Sequence, residues 1–137
     1  MSETFSPKDV EHIITFNQIR VDDRGDLFEV DEDCLQKIFN RMNRYNHIND
    51  KRKRIIKKAT RILAGITHYQ PFGDGNKETA LAITRIFLRR NGFFLILRTP
   101  DDEEEVYDLQ TRTIWKPTND PTIFAEVEEY LSRKVIS

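Results

Sequence analysis

Apolar positions recur every three or four residues along five stretches of this chain, the spacing that places them on one face of a helix. Ser6-Pro7 opens the first stretch with a capping hydroxyl and a first-turn proline, and Val10, Ile13 and Ile14 form its stripe. Asp31 opens a second, with Leu35, Ile38, Phe39, Met42 and Tyr45 in register. A third runs from about Asp50 to Tyr69, its inner face predicted as Ile55, Ala59, Ile62, Leu63 and Ile66. A fourth starts at Asn76, turns Ala80, Ile83, Thr84, Phe87 and Leu88 inward, and ends at Asn91-Gly92. The last begins at Asp120-Pro121 and buries Phe124, Val127 and Leu131.

Between these stretches the pattern breaks. Val21–Leu27, with Gly25 among aspartates and arginines, reads as a loop or short hairpin. Gln70–Gly75 carries Pro71, Gly73 and Gly75 and must turn. Phe93–Leu97 reads as a short strand or a core-filling extended piece, Thr99–Glu105 as an acidic turn, and Val106–Ile114 as a returning strand. The expectation is an all-α fold with a possible minor β-hairpin, forming a single domain over residues 1–137.

Composition narrows the class without changing that picture. The chain has 137 residues, 38% hydrophobic and 33% charged, so periodic apolar faces rather than bulk hydropathy argue for a packed core. A net charge of −1 gives no general attraction to nucleic acid or anionic membrane. Cys34 is the single cysteine, so no internal disulfide is possible, and an inert thiol is expected. With neither a membrane-length apolar run nor a signal-peptide core, the expected location is cytoplasmic. The basic run Lys51-Arg52-Lys53-Arg54, with Lys57-Lys58, lacks interleaved aromatics and reads as a solvated helix face, so nucleic acid is not an expected partner. His12, His47 and His68 lack metal-ligand spacing, and Tyr107 and Trp115 read as core or rim residues.

The chemistry concentrates in Gln70–Lys77. Gly73 and Gly75 permit backbone geometries closed to other residues and the close approach of a ligand. The first amides of the following helix lack intrahelical partners and form an anion site with the helix dipole. Lys77 adds a positive charge in a turn that normally favours acids, which suits a bound anion. Asp74 can cap the helix or hold Mg²⁺ against phosphate oxygens. The spacing is not that of a Walker A loop.

The run His68-Tyr69-Gln70-Pro71-Phe72-Gly73-Asp74-Gly75-Asn76-Lys77-Glu78-Thr79-Ala80, followed by Phe87-Leu88 and Asn91-Gly92-Phe93, resembles the signature of the Fic/Doc (Fido) superfamily. The Doc-like form of that signature is His-Pro-Phe-x-Asp-Gly-Asn-Lys-Arg-Thr-Ala, and the close likeness spans Leu63–Phe93. The resemblance implies a helical Fido domain that moves phosphate or AMP from ATP or another nucleotide, with Mg²⁺, to a protein hydroxyl. It assigns the metal to Asp74 and the phosphate to Gly75, Asn76 and Lys77, with Phe72 anchoring the loop, while Gly73 joins the phosphate-binding candidates on its backbone freedom alone.

Two positions depart from the family. Gln70 stands where the family has its general-base histidine, and an amide cannot take a proton at neutral pH. Glu78 stands where the family has a phosphate-gripping arginine. The resemblance therefore implies a degenerate domain that binds nucleotide or a protein partner with weak or lost transfer. The alternative is an active enzyme in which His68 serves as a displaced base. The family's inhibitory string Ser/Thr-x-x-x-Glu-Gly/Asn is not found, since Thr122 to Glu126 is followed by Val127. A restraining partner protein, as Doc-like toxins have, is consistent with that.

Overall fold

A computed structural model describes residues 3–137. Its elements are α1 (Pro7–Asp23), α2 (Glu32–Arg41), a 3₁₀ turn (Met42–Tyr45), α3 (Lys51–Tyr69), α4 (Asn76–Arg90), α5 (Pro100–Trp115) and α6 (Thr122–Lys134). The fold is all-α. The helix starts follow from local chemistry. Ser6 and Asp9 exchange hydrogen bonds in a capping box ahead of Pro7. The Asp31 carboxylate accepts from the Cys34 amide at 3.0 Å, and Asp50 from the Lys53 amide at 2.8 Å.

α3 is the central helix, packed against α2, α4, α5 and α6. Its expected inner face is fully buried, and Ala64, Thr67 and Lys58 are buried as well, so it is covered on nearly every side. Gly65 allows α2 to come close, because a Cβ there would lie 2.8 Å from Ile38 Cγ2.

Three expectations are corrected. Residues 21–23 belong to α1, and Val21 is fully buried as the next member of the stripe after Ile13 and Asn17. The acidic turn and returning strand are instead one helix, α5. The Thr99 hydroxyl accepts from the Asp102 amide, the Asp102 carboxylate accepts from the Thr99 amide, and Pro100 takes the first turn. Asp101, Asp102 and Glu103 then lie in the first turn, where the macrodipole favours them. Finally, no hairpin forms among the described residues. Phe93–Leu97 is the core-filling extended piece, with Phe93 and Leu95 buried, and Phe94 makes an isolated antiparallel bridge to Ile136.

The basic run has structural employment. The Arg52 guanidinium donates to the carbonyls of Ser132 and Val135 at the end of α6, and Lys57 pairs with Glu128 at 2.9 Å. Arg54 and Lys58 both hold Glu3. The last helix turns Ile123, Val127 and Leu131 inward, while Phe124 is half-buried beneath the Arg61 guanidinium, 4.0 Å from its ring centre. Trp115 is neither core nor rim but 81% exposed.

Candidate functional site

The loop between α3 and α4 is held from three directions. Residues 71–73 run antiparallel to 29–31: the Asp31 amide donates to the Pro71 carbonyl at 2.7 Å, and the Gly73 amide to the Glu29 carbonyl at 3.0 Å. Inside the loop, the buried Asn76 side chain accepts from the Phe72 amide at 3.0 Å and donates to the Phe72 carbonyl at 2.8 Å. From α1, the Asn17 amide nitrogen donates to the Asp74 carbonyl at 2.8 Å and to the Thr79 hydroxyl oxygen at 3.1 Å. Phe72 itself is buried in the core.

α4 begins at Gly75, in the left-handed region at φ 75°, without a capping side chain. The amides of Asn76, Lys77 and Glu78 thus stand at a helix start with the dipole behind them and no side-chain acceptor in front. The Gly75 amide donates to the Asp74 carboxylate at 2.8 Å. A Cβ at Gly75 would lie 2.9 Å from Asn17 Nδ2, so the close fit excludes a side chain as firmly as the backbone angle does. Gly75→Ala is expected to cost at least about 1–2 kcal/mol for the left-handed residue alone. Chemical denaturation checks this: an unchanged midpoint would mean that the loop relaxes without strain.

The residues named from sequence divide into groups. Gly75, Asn76 and Asp74 meet at the start of α4, but Asn76 contributes there only its backbone, since its side chain is committed to Phe72. Gly73 is corrected as a donor, because its amide is taken by Glu29. Lys77 is corrected too. Its ammonium lies 3.0 Å from Thr111 Oγ1 and 4.1 Å from the Tyr107 ring centre, on the α5 side. Successive helical residues point about 100° apart, so Lys77 faces α5 while Glu78 faces α1.

Gln70 ends α3 in the left-handed region at φ 51°, the only non-glycine there among the described residues. It is exposed and lines a cavity of about 370 Å³ with Glu29, Val30, Asp31 and the loop residues 71–73. His68, by contrast, is turned to α5. Its Nδ1 lies 2.9 Å from the Thr113 carbonyl, to which it can only donate, and Nε2 lies 3.3 Å from the Thr118 hydroxyl. No displacement of His68 toward the loop exists to make it a base.

Electrostatically the site is built around a residue that sequence reading passed over. Arg24, at the end of α1, reaches the carboxylates of Asp74 at 3.2 Å, Glu78 at 3.3 Å and Asp26 at 3.4 Å. Arg20 approaches Glu78 at 4.0 Å from the preceding turn. A hydrogen bond with the Asp26 carboxyl, then the Gly75 amide and the Arg24 guanidinium, hold the Asp74 carboxyl below its usual range. Asp74 is therefore an anion at neutral pH. Asn17 and Gln110 were passed over as well. Gln110 donates to the Thr67 hydroxyl at 3.1 Å and the Lys77 carbonyl at 2.9 Å, fixing α5 to the start of α4. A polar Asn17 on the stripe between Ile13 and Val21 was a legible signal.

Among the described residues, no group of three His, Cys, Asp or Glu side chains is placed to hold a metal. Asp74, with Asp26 beside it, suits an ion that arrives on a polyphosphate, since such Mg²⁺ ions take one or two carboxylates and complete their shell with phosphate and water. No helix among the described residues is long and apolar enough to cross a membrane.

A family model described as the Fic/DOC family matches residues 8–88, which take in α1, the loop and most of α4. No curated protein matches the chain.

Proposed function

The chain belongs to the Fic/DOC family, and from that premise we propose that it binds the phosphates of a nucleotide, with Mg²⁺, at the start of α4 while carrying weak or no transferase activity of its own. The observation that carries this reading is the start of α4, whose first amides have no side-chain cap, with an ionised Asp74 just before them. Asp74 would hold the ion, and the amides of Asn76, Lys77 and Glu78 the phosphate oxygens. When bound, Mg²⁺ would neutralise phosphate charge and polarise a phosphoryl oxygen.

What the family's base position lacks is a proton acceptor for an attacking protein hydroxyl, because Gln70 stands there. Gln70 can orient such a hydroxyl by hydrogen bonding, and the neighbouring cavity along residues 29–31 has room for the segment that carries it. Its amide does not remove the proton. His68 is occupied between α3 and α5.

The test is calorimetric titration of the wild-type protein with MgATP and MgADP, alongside an assay for labelled phosphate or AMP transfer to proteins of a cell extract. Binding is expected with transfer at background. Absence of any nucleotide binding would sink the proposal, and robust wild-type transfer would show a base other than Gln70.

A further inference from the structure

Among the described residues, Arg24 is the one guanidinium that touches three carboxylates at the candidate site, and each of the three lies in a different relation to the start of α4. Asp74 precedes that helix, Glu78 stands in its first turn, and Asp26 comes from the segment after α1. Arg24 Nη2 also lies 3.2 Å from where a Cβ of Gly75 would be, so the guanidinium is laid across the helix start beside its open amides. No lysine or arginine of α4 competes for that place, because Lys77 is drawn to Tyr107 and Thr111. Asp26, Asp74 and Glu78 outnumber Arg20 and Arg24 by one charge, so the cluster is close to neutral while Arg24 stays in it.

We propose that Arg24 is a cation place-holder: it neutralises Asp74 while no nucleotide is bound, and passes to the phosphate when a divalent ion carried by the nucleotide takes Asp74. This rests on the nucleotide-phosphate reading above and assigns to α1 the phosphate-gripping role that Glu78 cannot fill. The exchange is physically easy. The Arg24 side chain is 40% exposed and its partners are similarly open, and exposed ion pairs hold weakly. A doubly charged ion outcompetes a guanidinium for one carboxylate oxygen, and the released fork of N–H donors matches two phosphate oxygens. Glu78, 3.3 Å from the Arg24 guanidinium, then keeps a role as its tether. No covalent step is involved, only a change of ion partners.

A place-holder affects metal and nucleotide in opposite directions, which a merely structural arginine does not. In Arg24→Ala, Mn²⁺ alone, followed by its effect on water proton relaxation, is expected to bind severalfold more tightly, because the charge that competes for Asp74 is gone. MgADP, followed by calorimetry, is expected to bind roughly tenfold more weakly or worse, the worth of one charged hydrogen-bonded contact. Arg24→Lys keeps the charge without the fork, so Mn²⁺ should bind as in wild type while MgADP is weakened. Unchanged affinities for both probes in Arg24→Ala would overturn the proposal, and so would a parallel loss of both. Wild-type protein that binds no MgADP would defeat the nucleotide reading itself. Wild-type binding indifferent to Arg24 would defeat this inference alone.

Discussion

Gln70→His is expected to raise transfer of labelled phosphate or AMP to a protein hydroxyl by roughly 10²–10⁴-fold over wild type, the usual contribution of a placed general base. The substitution supplies a proton acceptor at the position where the family carries it, on the loop that leads into the proposed phosphate site. Asp74 is ionised, the start of α4 is uncapped, and the loop is clamped by Asn17 and Asn76. The fold should accept the change. Gln70 is exposed at φ 51°, and histidine is among the residues that enter the left-handed region more readily than most. Time courses with labelled ATP, run on Gln70→His and on Gln70→His combined with Asp74→Ala, check the idea. A gain in the first that disappears in the second supports the proposed roles. If Gln70→His gives no transfer although MgADP still binds, the loss of activity extends beyond the base.

The largest stability effect is expected at the opposite end of the site's scaffold. Lys58 is only 1% exposed, and its ammonium is held by the Asn46 side-chain oxygen at 2.6 Å and by the Glu3 carbonyl at 3.2 Å and carboxylate at 3.4 Å. Glu3 also pairs with Arg54 at 2.7 Å, so one carboxylate serves two cations on successive turns of α3. Glu3→Ala leaves the buried Lys58 ammonium with the Asn46 oxygen and the residue 3 carbonyl but no counter-charge, and is expected to cost about 2–3 kcal/mol, below the full cost of breaking a buried pair. Lys58→Met removes the buried charge and leaves Glu3 to Arg54, so it should be close to neutral, since hydrophobic replacement of a buried ion pair often is. Urea titration of the two variants decides it: equal losses would show that burial of Lys58 is not the cause. The pH dependence has a definite sign. The Arg54 hydrogen bond holds the Glu3 carboxyl below its ordinary 4.5 despite partial burial, so its stabilisation is complete above that value and lost as pH falls through the lowered one. Glu3→Gln should flatten that acid limb.

How much of this the sequence could reveal depends on how far apart the interacting residues lie. The stripes of α3 and α4, the Ser6 and Asp31 caps and the turn at 70–75 were legible because each is decided within a few residues. The family motif belongs to the same category, being one contiguous run. α5 was misread although its Thr99–Asp102 capping box is equally local. Its buried face includes Gln110 and Thr113, polar residues that look exposed until Thr67 comes within reach of Gln110, 43 positions away in sequence.

The site shows the same division. That Gln70 is no base and Glu78 no phosphate grip follows from the identity of the side chains, which the sequence determines by itself. Which side chains face the proposed phosphate site was decided only by tertiary structure. Helical phase sends Lys77 to Tyr107 and Glu78 to α1, and His68 to Thr113 and Thr118 rather than to the loop. Arg24 reaches Asp74 and Glu78 across 50 and 54 residues of chain, so no local pattern announces it. A side chain's chemistry is written at its own position, but its direction is set by the helix it sits on and by the neighbours that packing brings against it.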